Sequence, residues 1–114
     1  MTEGGDDFLI SEQVIFASTY WERLLGVHAI GGLKDGQCLL LKPCNGIHTF
    51  GLREPIDVVV LDNRGRVLRI MYAVRPNRVQ IPKLGGHSTL ELKCGMIEVN
   101  EIRVGDSLRF EQVS

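Results

Sequence analysis

Apolar side chains recur along this chain in short runs, each closed within a few residues by Gly, Pro, Asn or Asp. That punctuation belongs to strands and turns rather than to long helices. Phe8 to Ala17 carries a β-type run centred on Val14, Ile15 and Phe16. Gln37 to Leu41 is a second apolar run, broken by Pro43-Cys44-Asn45-Gly46, and Ile47 to Phe50 is short and extended in character. Ile56 to Leu61 gives the strongest strand prediction, because β-branched residues fit a pleated, buried surface. Asp62-Asn63-Arg64-Gly65 reads as a hairpin turn, with Arg66 to Val74 as the return strand. Strict alternation there puts Leu68, Ile70, Tyr72 and Val74 on one face, and Val67, Arg69, Met71 and Ala73 on the other. Ser88 to Lys93 alternates Leu90 and Leu92 with polar residues and reads as a half-exposed strand. Leu108 and Phe110 alternate with Arg109 and Glu111 in a last strand.

Helical signals are few. Thr19 followed by Glu22 fits a capping box, Trp21, Leu24 and Leu25 fall at helical spacing, and Gly26 is placed to end the element. One more helical turn fits Met96 to Ile102, although Val99 and Asn100 are weak helix formers. Gly31 to Gly36, Arg75-Pro76-Asn77, Pro82 to Gly86 and Val104 to Ser107 are turn or loop material. The pattern predicts a mainly β (α+β) fold: a compact, largely antiparallel sheet curled into a small barrel or sandwich, with one or two short helices. Residues 1–7, polar and Gly-rich, are expected to be a disordered tail, and 8–114 a single β-rich domain.

Composition narrows the function. With 114 residues, 44% hydrophobic and 24% charged, the chain has one ordinary globular domain's worth of material. Its formal net charge is -1 and its aromatic content 6%, so neither a phosphate-gripping surface nor base-stacking platforms are expected, and nucleic acid is not the expected partner. No apolar run approaches the ~20 residues of a membrane-spanning helix. The acidic start Met-Thr-Glu-Gly-Gly-Asp-Asp does not resemble a secretory signal, which points to the cytoplasm. Three cysteines, Cys38, Cys44 and Cys94, argue against a disulfide framework. No cofactor is implied. The partner expected is a protein or small molecule of unknown identity.

The densest polar cluster, between Pro43 and Asp57, holds Cys44, His48, Thr49, Arg53, Glu54 and Asp57. Asp57 lies in a stretch whose neighbours want burial, and a buried carboxylate must be paired or hydrogen-bonded. Arg53 and His48 are the nearby candidate partners: Asp57 either accepts bonds from Arg53 or the backbone and fixes the loop before the strand, or it belongs to a reactive site. Cys44, His48 and Asp57 have the residue types of a nucleophilic triad, but triads are spatial and sequence spacing does not test them. Cys38, Cys44, His48, His87 and Cys94 could ligate a metal, yet the chain lacks the paired Cys-x-x-Cys spacing of structural zinc, and no metal site is assigned. His28 reads as a surface residue. Gly31-Gly32 and Gly85-Gly86 lack the context of phosphate-binding loops and read as turns. Arg64, Arg66, Arg69, Arg75, Arg78 and Lys83 cluster around the central hairpin, as a solvated face or as an anion- or partner-docking face.

The stretch from Cys44 to Asp62, with Pro55-Ile56-Asp57 before an apolar strand, resembles the core signature of the bacterial and archaeal family called domain of unknown function 192. Asp62-Asn63-Arg64-Gly65-Arg66-Val67, Arg75-Pro76, Leu90-Glu91-Leu92-Lys93-Cys94-Gly95 and Val104-Gly105-Asp106 follow in the family's order, with Arg23 and Gly26 echoing its early helix. The likeness covers about residues 14–110. It implies a compact, mostly β fold with a short helix, and it brings no established activity. Many relatives carry a secretion signal, and the Cys-x-x-Ile-His-Thr form resembles a subgroup sometimes encoded near pilus or secretion genes. Gly51, Leu52, Lys93 and Cys94 depart from the family pattern, whereas Cys44, His48, Arg53 and Asp57 match it and are the expected binding residues. The expected function is a non-enzymatic binding or accessory domain. The alternatives are a Cys/His-dependent enzyme or a metal-binding module that uses Cys44 to Asp57.

Overall fold

The structure is a computed structural model that describes residues 7–9, 13–17, 32–44, 47–49, 52–80 and 82–110. Its strands are β1 (Asp7–Leu9), β2 (Gln13–Ala17), β3 (Gln37–Leu41), β4 (Ile47–His48), β5 (Ile56–Leu61), β6 (Val67–Val74), β7 (Val79–Gln80), β8 (Ser88–Lys93) and β9 (Ser107–Arg109), with a single helical turn α1 (Met96–Val99). The main sheet has five strands in the order β2-β3-β8-β5-β6. Two short pairs, β1 with β9 and β4 with β7, lie outside it.

The mainly β, largely antiparallel expectation is met: β3–β8, β8–β5 and β5–β6 are antiparallel, while β2 and β3 run parallel, a pairing no tight hairpin can connect. The barrel is corrected: the main sheet is open, since β2 and β6 each have one neighbour in it and its two edges do not meet. The helix predicted around Thr19 to Gly26 lies outside the described residues, as do His28 and residues 1–6. Asp7 pairs with Ser107 at the start of β1.

Strand β8 sits at the centre, antiparallel to both β3 and β5. This overturns the half-exposed reading of Ser88 to Lys93, since Ser88, Thr89, Leu90, Glu91 and Leu92 are all buried. A strand with neighbours on both sides and cover on both faces hides its polar positions too. On one face Cys38, Leu40, Val59, Leu61, Leu90 and Leu92 form the main core, closed by Ile97, Ile102 and Leu108. On the other, Leu39 and Leu41 pack with Leu33, Cys44 and Leu52, and Ile56, Val58 and Val74 pack with Leu52 and Met71.

The β5–β6 hairpin forms as predicted. Asp62 turns the chain: its backbone carbonyl accepts Gly65 N–H at 3.1 Å, and its Oδ1 accepts the N–H groups of Arg64 and Arg66 at 2.8 and 2.9 Å. The simple alternation expected along β6 does not hold. The register shifts between Ile56 and Val58, and again between Val60 and Leu61. Each shift gives β6 one residue more than its partner, which reverses the parity of the faces. Val67 and Ile70 therefore pack on the main core together, and Met71 and Val74 share the opposite cluster.

Candidate functional site

Asp57 is the second residue of a six-residue strand that is buried throughout, and is itself 1% exposed. Its Oδ1 accepts Ala73 N–H at 2.9 Å, and its Oδ2 accepts the N–H groups of Gly95 and Ile97 at 3.0 and 3.1 Å. Ala73 lies at the bulge of β6 opposite Ile56 to Val58, with φ 49°, and Gly95 caps α1 with φ 96°. One carboxylate therefore satisfies an orphan donor at a bulge and two in the first turn of a helix that has no side-chain cap of its own. Of the partners weighed for Asp57, the backbone takes the role. Arg53 is exposed and makes no bond to it.

Thr49 is fully buried and ties the segment before β5 to the loop after β6. Its hydroxyl donates to the Arg75 carbonyl at 2.7 Å and accepts Arg78 N–H at 2.8 Å, while its backbone carbonyl accepts Asn77 N–H at 3.0 Å. His48, one residue earlier, pairs with Val79 across β4 and β7. Cys44 is half-buried. Its N–H donates to the His87 carbonyl at 2.8 Å, and its carbonyl accepts the Thr89 hydroxyl at 3.1 Å.

These contacts place Cys44 and Asp57 apart. Cys44 lies level with residues 87–89 at the start of β8 and packs with Leu39 and Leu41. Asp57 pairs with Leu92 near the end of β8 and reaches α1, on the face of the main core. Three to five strand positions separate the two levels, on the order of 10–17 Å at the strand rise, and the residues serve opposite faces. The sulfurs are dispersed as well: Cys38 is buried in the main core, Cys44 belongs to the opposite cluster and Cys94 is exposed. Among the described residues no three His, Cys, Asp or Glu side chains converge in a way that could hold a metal.

A different feature lies at the hairpin end of the sheet. An open groove of about 400 Å³ has Leu40, Leu61 and Leu108 on its floor and Phe16 and Phe110 beside them, with Lys42, Asp62, Arg64, His87, Ser88 and Arg109 around it. Partial burial pushes the Asp62 carboxyl up, but the N–H groups of Arg66 and Arg64, with their guanidinium charges, outweigh this and hold it below its ordinary value. Gly65 closes the turn against β9: its carbonyl accepts Leu108 N–H at 2.8 Å, and a Cβ on it would stand 2.5 Å from the Leu108 carbonyl oxygen. Sequence reading singled out Arg64 as part of a basic hairpin but not the groove. Lys42, His87 and Arg109 are far apart in the chain: the pairing of β3 with β8 brings the first two together, and the bond from Leu108 N–H to the Gly65 carbonyl holds β9, with Arg109, against the turn. The available signal was that each stands at or beside the end of an apolar run.

Comparison with known proteins agrees with this architecture. The pattern of the DUF192 family, described as an uncharacterized ACR, matches residues 2–110. A UPF0127 protein of Thermococcus sibiricus is 27% identical over 103 residues, covering 87% of this chain and 66% of that protein. A UPF0127 protein of Pyrococcus abyssi is 31% identical over 64 residues, covering 56% of this chain and 54% of that protein. The chain thus spans just under two thirds and about half the length of these curated relatives. A solved structure of a protein of unknown function from Novosphingobium aromaticivorans superposes with a TM-score of 0.70 at 20% identity, covering 82% of this chain and 71% of that one. Another, a candidate transcription regulator from Sinorhizobium meliloti, gives 0.69 at 16% identity, covering 81% and 76%. At those identities the likeness is one of fold.

Proposed function

For a chain that belongs to the DUF192 family of uncharacterised proteins, we propose the role of a non-enzymatic binding or accessory domain. The observation that carries this reading is the separation of Cys44 from Asp57. A nucleophile needs its base and the base's orienting group within hydrogen-bond reach. Here the carboxylate is taken up by three backbone N–H groups on the other face of the sheet. The proposed contact surface is the loop that leads from Cys44 to β5, in which Asp57 is buried. Cys44 and Asp57 hold the backbone in place, His48 sits in β4, and Arg53 offers an exposed guanidinium. An accessory role beside pilus or secretion machinery rests on the family likeness of Cys44 to Thr49 alone. Among the described residues no helix is long and apolar enough to cross a membrane.

The test is an assay of the purified protein against generic ester, peptide and phosphoester substrates, beside Cys44→Ala. No turnover above background is expected from either protein, with Cys44 alkylating no faster than an unactivated thiol. Turnover that disappears in Cys44→Ala would overturn the proposal in favour of a Cys/His-dependent enzyme.

A further inference from the structure

Building on the reading of a binding domain, the geometry points to the groove at the hairpin end of the sheet as its ligand site, and to an amphipathic organic anion as the ligand: an acidic head on a small apolar body. The floor supplies the apolar half. Leu40, Leu61 and Leu108 are core residues, at most 3% exposed, and their edges line the groove between half-buried Phe16 and Phe110. An apolar body laid there is removed from water on several sides, and flat aromatic walls suit a narrow chain or ring.

The charges supply the other half. Lys42 and Arg64 bring two positive charges to the groove, beside the Asp62 carboxylate, on a chain whose formal net charge is -1. The Asp62 Oδ1 is turned inward onto the N–H groups of Arg64 and Arg66, so that oxygen is taken up by the turn. Arginine meets a carboxylate or a phosphate in the same bidentate manner, so the shared chemistry is the anionic head, whichever acid carries it. His87 and Ser88 add directional polar groups on the wall. A volume of about 400 Å³ falls within the usual range of small-molecule sites, and an apolar pocket with a few convergent polar groups is their usual make-up. The site adjoins the proposed contact surface, since Lys42 is two residues before Cys44 and the Cys44 N–H holds the His87 carbonyl.

Titration of the full chain with octanoate, octyl phosphate, octanamide and inorganic phosphate, followed by amide chemical shifts of Leu61, Gly65, Ser88 and Leu108, tests the assignment. Octanoate or octyl phosphate is expected to saturate these shifts about tenfold more tightly than octanamide or inorganic phosphate, and the tighter of the two names the head group. Lys42→Gln combined with Arg64→Gln, both exposed positions, should weaken that binding by about tenfold while leaving the melting temperature in place. Lys93→Gln, at the other end of β8, should leave it unchanged. The assignment is overturned if octanamide binds as well as octanoate, if inorganic phosphate binds as well as octyl phosphate, or if nothing saturates up to about 10 mM. Such a failure without turnover sinks the ligand and leaves the binding-domain reading standing, whereas turnover dependent on Cys44 sinks that reading whatever the titration gives.

Discussion

The two ends of the central strand β8 handle polar groups in opposite ways. At the Lys93 end, the Asp57 carboxylate is enclosed and every bond it makes is to backbone N–H, across the β6 bulge and the start of α1. At the Ser88 end, Lys42, Arg64, His87 and Arg109 surround an open groove over an apolar floor. A polar group that satisfies the fold's own orphan donors is committed to structure, and nothing is left of it for a ligand. Side chains gathered around an open concavity have the reverse character. The Pro55-Ile56-Asp57 segment lies at the structural end. The groove joins the Asp62–Gly65 turn to positions from distant parts of the chain, Lys42, His87 and Arg109.

The largest effect should come from breaking the structural end. Asp57→Ala leaves the N–H groups of Ala73, Gly95 and Ile97 without their acceptor, and a loss of about 3–5 kcal/mol in urea unfolding is expected. Asp57→Asn keeps one carbonyl oxygen and should lose about 1–3 kcal/mol. A loss under about 1 kcal/mol for Asp57→Ala would mean that water or a neighbour replaces the carboxylate, and the contrast between the two ends would fail.

Gly65→Ala probes the hairpin end. Its φ of 85° and the 2.5 Å approach of a Cβ to the Leu108 carbonyl combine strain with a clash against backbone. The expected loss is about 1–3 kcal/mol, with shift changes concentrated at residues 106–109. Stability equal to the parent's would show that the turn and β9 are not held together by this contact.

Thr49 stands between these cases, a buried polar side chain outside both ends. Thr49→Val keeps the shape and removes the hydroxyl that bridges Arg75 and Arg78, at an expected cost of about 1–2 kcal/mol. Thr49→Ser, which retains the hydroxyl, should recover most of it. A loss in Thr49→Ser as large as that in Thr49→Val would show that the methyl holds this site as much as the bridge does.

Much of the sheet was legible because its signals are local. The Ile56–Leu61 run, the Asp62–Gly65 turn and the return strand predict one another, and they pair as expected. The faces of β6 were not legible, since a bulge inserts one residue with no change in apolar pattern, and Leu68 looks the same in register or out of it. The burial of Thr89 and Glu91 was hidden for a related reason: alternation of apolar and polar residues describes a strand with one wet face, and β8 has none. Asp57 was found by its unease among valines, yet its partners are backbone groups 16, 38 and 40 residues away, which side-chain spacing cannot foresee. The groove escaped because Lys42, Asp62, His87 and Arg109 share an end of the sheet but no segment of the chain.

The smallest effect belongs to the exposed pair of Lys93 and Asp35, whose Nζ and Oδ1 lie 2.7 Å apart at the structural end of β8. The hydrogen bond and then the charge of Lys93 hold the Asp35 carboxyl below its ordinary 3.8, and the same contacts raise Lys93 above 10.5. The signs fix the pH window. A depressed carboxyl adds stability that is present above its unfolded value and lost as pH falls through its folded one, and a raised amine adds stability that is lost only as pH climbs through its own folded value. The pair therefore acts across the whole neutral range, but both groups are in water and salt screens them. Asp35→Asn should shift the melting temperature at pH 7 by no more than about 2 °C, while Lys93→Gln should raise the Asp35 titration midpoint followed by carboxyl chemical shift. If Asp35→Asn cost as much as Gly65→Ala, the Lys93 end of the sheet would be held by its surface as well as by Asp57, and burial would no longer separate the groups that build this fold from those that face its surroundings.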